Sequence, residues 1–374
     1  MIIGFDAKRA FRNFTGLGNY SRSNISMLSE FYPDNSYVLY TPPYPPHAEH
    51  FFADRENIRI VQPQGMYRRF PSVWRSFGIA PYAKRDGIQL FHGLSGELPT
   101  GLAKQNIRSI VTIHDLIFLR YPQFYKPIDR LIYAKKFKTA CVNADLIIAI
   151  SKQTKQDVID FFDISEDKIR LVYQGCHPQF YAECSDEYCQ TIAKKYQLPP
   201  KYILYVGTIE ERKNLHSIVK ALAAIPDAYS LVAVGKPTDY MKEVIAEIHR
   251  LGLTDRVHFI HHSDFRDLPA IYQQAEVFVL PSLFEGFGIP VLEALNSKIP
   301  VITSNVSGLS EAGGTDSIYV NPADSKELEQ ALLRLFADSN LRNSMITNGY
   351  KHAQNFREEK IVADLWKVYA ELCN

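Results

Sequence analysis

The stretch Leu280-Pro281-Ser282-Leu283-Phe284-Glu285-Gly286-Phe287-Gly288-Ile289-Pro290-Val291-Leu292-Glu293-Ala294 decides the reading of this chain. An apolar run, Val277 to Leu280, ends in a Glu-Gly-Phe-Gly turn, and a helix is expected to begin near Ile289. Glycines at 286 and 288 let the backbone come close to a ligand. The amides that open the helix have no partner within it and point outward, which suits phosphate. Glu285 and Glu293 flank that junction and can accept from sugar and ribose hydroxyls. Ligands of open α/β sheets bind at such carboxyl ends of strands. The segment therefore fits a nucleotide diphosphate joined to a sugar, although an ordinary strand-to-helix turn with surface glutamates has the same letters.

Outward from this junction, apolar runs alternate with longer amphipathic stretches, the pattern of a parallel sheet wrapped by helices. In the first half, strands are expected at 2–5, 37–40, 58–61, 88–91, 109–113, 146–150 and 169–173. Helices are expected at 128–141 and, behind a Ser151 cap, at 152–162. Past Gly175-Cys176-His177-Pro178, strands are expected at 202–206, 230–234, 257–260, 277–280, 301–303 and 317–320, with helices at 214–225 and 240–251. The 374 residues are too many for one core and suit two α/β domains, 1–178 and 179–357, with a terminal helix over about 358–374.

Composition narrows the class. At 46% hydrophobic and 12% aromatic there is ample material for packed cores. No apolar run approaches the ~20 residues that span a bilayer, and the N-terminus lacks a signal-peptide layout, so a cytoplasmic protein is expected. Five cysteines without a CxxC pair read as ordinary thiols. The net charge of +1 is unevenly spread: residues 1–175 carry 23 Lys+Arg against 16 Asp+Glu, so +7, and the rest carry 19 against 25, so −6. A basic first half favours an anionic partner such as a lipid phosphate or membrane surface, and Arg68, Arg69 and Arg75 with interleaved aromatics form its candidate cluster.

Three other stretches carry candidate chemistry. Gly207-Thr208-Ile209-Glu210-Glu211-Arg212-Lys213-Asn214 follows a strand, and its adjacent cations and capping Asn fit a diphosphate clamp or a plain charged surface loop. Asn13-Phe14-Thr15-Gly16-Leu17-Gly18-Asn19-Tyr20-Ser21 is a glycine-rich loop after the first strand. His114, in Thr112-Ile113-His114-Asp115-Leu116, lies at another strand's carboxyl end. His261-His262 is no metal pair, because adjacent strand residues point to opposite faces.

Pro-Ser-x-x-Glu-Gly-Phe-Gly-x-Pro-x-x-Glu-Ala, containing Glu285-x7-Glu293, resembles the signature of retaining glycosyltransferases of family 4. The resemblance implies the GT-B fold: two Rossmann-like α/β domains facing each other across a cleft, with the C-terminal helix crossing back to the first. It implies that Glu285 contacts the donor sugar, Glu293 the ribose, and Arg212 and Lys213 the leaving diphosphate, while His114 reaches the donor hexose. Gly16, Gly18, Gly207, Thr208, Gly286, Phe287, Gly288 and Ile289 become donor-binding positions. Many members have Arg where Thr208 stands, which leaves the charge to Arg212 and Lys213. With no Asp-x-Asp motif, neither metal nor cofactor is expected. His114-Asp115-Leu116, with Tyr121-Pro122, is most similar to bacterial mannosyltransferases of the family. That form implies a GDP-mannose donor, while the +7 first half against the −6 second is the ground for expecting a glycan or lipid-linked glycan acceptor with peripheral seating at the inner membrane face; no nucleic-acid partner is expected. A UDP-sugar donor, a soluble acceptor, a GT-B sugar-nucleotide epimerase, a glycan phosphorylase and a non-catalytic binding subunit are the rival readings.

Overall fold

Short apolar runs bounded by turns become strands, and every strand pairing is parallel among residues 1–373, which the computed structural model describes. The first sheet holds β1 (Ile2–Asp6), β2 (Ser36–Tyr40), β3 (Ile58–Val61), β4 (Leu90–Gly93), β5 (Arg108–Ile113), β6 (Leu146–Ala149) and β7 (Ile169–Leu171), in the order β3-β2-β1-β4-β5-β6-β7. The second holds β8 (Tyr202–Val206), β9 (Ser230–Val234), β10 (Val257–Ile260), β11 (Val277–Leu280), β12 (Val301–Ser304) and β13 (Ile318–Val320), in the order β10-β9-β8-β11-β12-β13. Helices cover both faces, so central strands such as β6 and β11 are buried along their whole length and read as unbroken apolar runs.

Each sheet reverses its strand order once, beside β1 and β4 in the first and beside β8 and β11 in the second. Crevices at such switch points are where doubly wound sheets take ligands. The loops after β8 and β11 are the two stretches singled out above, 207–214 and 281–288, and strand order makes them neighbours.

The chain divides into two units, residues 1–174 with the helix Glu358–Cys373, and residues 175–357. Residues 175–178, expected in the first domain, belong to the second: Asn296 Nδ2 donates to Cys176 Sγ at 3.3 Å, and the His177 ring meets Phe265 at 5.2 Å. Within the first unit the terminal helix packs on the helix Gly16–Phe31, where Trp366 stacks on Tyr32 with ring centroids 4.0 Å apart.

Several local expectations change. The glycine-rich stretch 13–21 is the start of the helix Gly16–Phe31 rather than a loop. Gly18 is required by proximity, since a Cβ there would stand 1.7 Å from the Asn13 carbonyl oxygen. β4 begins at Leu90 because the Ile88 amide is taken by Ala83 in the turn closing the preceding helix. Asn214 does not cap its helix by side chain: it adopts φ 56°, and its amide donates to the Pro281 and Pro322 carbonyls. Arg75 is not a surface cation; it lies buried against Asp6 and 3.0 Å from Glu97.

Candidate functional site

In the second unit the loops after β8 and β11 are stitched together. The Leu283 amide donates to the Arg212 carbonyl at 2.8 Å, and the Arg212 guanidinium donates back to the Phe284 carbonyl. This fixes Glu285 between two cations. Its Oε2 is 2.9 Å from Arg212 Nη1 and its Oε1 is 2.9 Å from Lys213 Nζ, while Ser282 Oγ donates to Oε1 at 3.0 Å. Glu210 occupies the other side of the Arg212 guanidinium. Burial pushes the Glu285 carboxyl up, but Lys213 and then Arg212 outweigh it and hold its pKa at about 2. Glu285 is therefore an ion at any physiological pH. Its amide is also held, donating to Ser307 Oγ at 3.0 Å.

Gly286, Phe287 and Gly288 are buried and lead into the helix Ile289–Asn296. Gly288, at φ 131°, lets the chain turn sharply into the first helical residue, and its carbonyl accepts from the Val291 amide at 3.0 Å, while Pro290 has no amide hydrogen to offer. Glu293 lies one turn past Ile289, so its side chain leans back toward the same helix end. It is buried, and Tyr272 Oη donates to its Oε2 at 2.8 Å. Burial raises its pKa to about 7 against the Tyr272 hydrogen bond and the charge of Lys213. Its Oε1 accepts no hydrogen bond among the described residues.

Gly207 donates to the Val234 carbonyl at 2.9 Å, and Tyr205 Oη donates to the Thr208 carbonyl at 2.9 Å, so the start of the clamp loop is rigid. The structure thus brings Gly207, Thr208, Arg212, Lys213, Glu285, Gly286, Phe287, Gly288, Ile289 and Glu293 together on the loops of two adjacent strands and the helix that follows.

Gly16, Gly18 and His114 belong to the first unit. Both His114 ring nitrogens are engaged there: Nε2 donates to the Leu94 carbonyl at 2.9 Å, and Nδ1 accepts from Gln174 Nε2 at 3.1 Å. Burial depresses its pKa to about 4, against the Leu94 hydrogen bond, so the ring is neutral. Behind it runs a buried chain that the motifs do not reveal. Tyr369 Oη, from the terminal helix, bonds His92 Nδ1 at 2.6 Å, and His92 Nε2 bonds Thr112 Oγ1 at 2.8 Å. Thr112 Oγ1 in turn meets Tyr20 Oη at 3.1 Å, and the Tyr20 ring sits edge-on to His114 at 4.5 Å. A His between apolar strand residues and a Tyr on the inner stripe of the last helix were the only traces of it in the sequence. His261 Nδ1 donates to the Gly235 carbonyl at 3.2 Å, and no cluster able to hold a metal occurs among the described residues.

Residues 34–180 match the model for Glycosyltransferase Family 4, and residues 190–352 match that for Glycosyl transferases group 1. The chain is 29% identical over 287 residues to O-antigen chain mannosyltransferase B of Escherichia coli, covering 75% of this chain and 74% of that protein. It is 29% identical over 222 residues to the O-antigen chain mannosyltransferase RfbU of Salmonella typhimurium, 59% of each. HepE of Anabaena, solved with UDP and glucose, shares the fold at a TM-score of 0.79 and 17% identity, over 99% of this chain and 100% of that one. Two parallel doubly wound sheets and these matches define a glycosyltransferase of the GT-B fold. The chain belongs to family 4 and is similar to that family's bacterial mannosyltransferases. No described helix is long and apolar enough to cross a membrane.

Proposed function

We propose that the protein transfers a mannosyl residue from GDP-mannose to a glycan hydroxyl, with retention at the anomeric carbon, in assembly of a lipid-linked or cell-surface polysaccharide. The observation that carries this reading is Glu285 held between Lys213 and Arg212 beside the opening of the helix Ile289–Asn296. When the donor binds, its diphosphate competes with Glu285 for those two cations. They neutralise the negative charge that grows on the leaving group, by preorganised electrostatics and without a divalent metal or cofactor. Glu285 then faces a sugar ring that becomes cationic, and its charge favours that state. The family signature around Glu285 supports same-face attack, with the leaving phosphate taking the acceptor proton, over a double displacement. Glu293 Oε1 accepts from a ribose hydroxyl, and His114 reaches the donor hexose by exchanging its hydrogen bond from Gln174 for one from a sugar hydroxyl.

Mannose is favoured by the similarity to the two O-antigen mannosyltransferases and by the form of His114-Asp115-Leu116. A thermal-shift panel of GDP-, UDP-, ADP- and dTDP-sugars tests the donor, because a ligand that binds only the native state raises its melting point. GDP-mannose is expected to give the largest rise. A rise with UDP-sugars and none with GDP-mannose would replace the donor while leaving the reaction class intact. Product analysis with and without acceptor separates transfer from epimerisation, and an α-linked product from this α-linked donor reports retention.

A further inference from the structure

Glu293 is held from one side only. It is buried in the second unit, where Tyr272 Oη donates to its Oε2 at 2.8 Å. Oε1 has no partner among the described residues, yet it is not one of the polar atoms sealed from solvent. One oxygen is therefore anchored in the core and the other is open to a ligand. A carboxylate offers about four lone-pair sites, so a single donor leaves most of its accepting capacity free.

The anchor is built to stay still. Tyr272 is fully buried, its ring edge-on to Phe180 at 5.5 Å and tilted against Phe278, on β11, at 5.5 Å. A phenol hydroxyl moves only with its ring, so packing of the ring fixes the donor in place. The helix Leu268–Gln273, which carries Tyr272, is tied at both ends. Just before it, Asp267 accepts from Tyr188 Oη at 2.9 Å, from Lys195 Nζ at 2.6 Å and from Tyr196 Oη at 2.7 Å. At its end, Gln273 donates to the Ala182 carbonyl at 2.9 Å and accepts from the Cys184 amide at 2.8 Å.

Few ionisable groups face Glu293. Tyr272 comes from this helix, Lys213 from the loop after β8, and Cys176 from the segment that opens the second unit. Burial raises the Cys176 and Tyr272 pKa values well above the ordinary ones, so both groups keep their protons. The Lys213 ammonium is already bound to Glu285 Oε1 at 2.9 Å. Tyr272 is thus the one side chain that donates to Glu293 among the described residues.

We propose that Tyr272 is a positioning residue for the donor nucleotide: it holds Glu293 by Oε2 and so presents Oε1, as an anion, to a ribose hydroxyl. The proposal deepens the reading of Glu293 as the ribose contact and rests on it. The hydrogen bond fixes the rotation of the carboxylate and stabilises its charged form against burial. Without it, the buried carboxyl keeps its proton to higher pH, and its free oxygen loses the orientation that the bond imposes.

Calorimetric titration of the whole protein with GDP and with its dideoxyribose analogue, over a range of pH, is the test. Both ligands carry the same diphosphate, so the ratio of their affinities isolates the ribose hydroxyls. In the wild type that ratio is expected to climb as pH approaches about 7. In Tyr272→Phe, which keeps the ring, the climb is expected about one pH unit or more higher, the scale of one hydrogen bond to a charged group. Near neutral pH the variant then binds GDP several-fold more weakly than the wild type. A purely structural role lowers the melting temperature but leaves the climb where it is, and that result overturns the proposal. Should Tyr272→Phe fail to fold, Tyr272→Phe/Glu293→Gln carries the test, because it leaves no carboxylate unpaired. Its GDP affinity is expected to equal that of Glu293→Gln, since Tyr272 acts through Glu293; a further loss overturns the positioning role. A wild-type ratio that stays near one at every pH sinks the ribose assignment itself, and the proposal with it.

Discussion

In the first unit, the loop after β5 presents His114, a ring kept neutral by burial and tied at both nitrogens to Leu94 and Gln174. In the second, the loop after β11 presents Glu285, a carboxylate kept ionised by two cations at 2.9 Å. Both loops sit at the carboxyl ends of parallel strands, yet one site is built of uncharged hydrogen bonds and the other of full charges. The difference follows from the neighbours each sheet supplies. β4 and β5 bring carbonyls, hydroxyls and the buried His92, whereas β8 and β11 bring Arg212, Lys213 and Glu285 onto adjacent loops. A site of paired ions is primed to exchange one anion for another, and a neutral site is suited to orienting hydroxyl groups. Paired ions on the loops of the second unit suit a diphosphate and the uncharged hydrogen bonds of the first suit hydroxyl groups, which is what this contrast teaches.

The contrast breaks most visibly at Lys213. Replacing it with Ala is expected to cut turnover by ~10²–10³, the scale for one transition-state charge contact. A steady-state rate within a few fold of wild type would mean that the ion pair is only structural. Glu285→Gln should have the next largest effect, and a divided one. Freed from the carboxylate, Arg212 and Lys213 are expected to hold a nucleoside diphosphate several-fold more tightly while kcat falls about 10²-fold, because only the transition state needs the anion. Weaker binding together with lower kcat would show that Glu285 organises the clamp rather than competing with the ligand.

Glu293 sharpens the comparison through pH. Its folded pKa of about 7 lies above the ordinary 4.5, so the stability that it contributes is present below about pH 4.5 and lost as pH rises through about 7. Glu285, at about 2, behaves oppositely: its contribution is present above about pH 4.5 and lost as pH falls through about 2. A ribose hydroxyl donates best to an ionised carboxylate, so donor affinity should climb as pH passes about 7. In Glu293→Gln that slope should vanish and KM should rise about tenfold with little change in kcat. A slope that survives in the variant would assign the titration to another group. The smallest effect is expected on the neutral side. Tyr369→Phe removes one hydrogen bond to buried His92 and should cost about 1 kcal/mol in denaturant unfolding, with donor affinity unchanged.

Periodicity made most of both sheets readable. The runs 202–206 and 277–280 are strands over those same residues, because strands covered on both faces leave an unbroken apolar signature, and 230–234 and the edge run 257–260 are strands as expected despite Ser230 and His258. The helix Gly16–Phe31 stayed hidden because its first turn holds two glycines and no acid, so local chemistry reads as loop while packing makes helix. At the candidate site, residue types and spacing marked Glu285, Glu293, Arg212 and Lys213, but not that the cations already grip Glu285. That contact joins loops about seventy positions apart and depends on β8 lying beside β11. The Tyr369–His92–Thr112–Tyr20 chain was illegible for the same reason, since it assembles polar groups from four separate elements inside a core.

Calorimetric titration of GDP into wild type, Lys213→Ala and His114→Ala measures directly where the diphosphate is held. Affinity is expected to fall at least tenfold, about 1.4 kcal/mol, in Lys213→Ala and to stay at the wild-type value in His114→Ala, whose proposed contact is to the absent sugar. Unchanged affinity in Lys213→Ala, or an equal loss in His114→Ala, would contradict the division between a charged diphosphate site and a neutral sugar site.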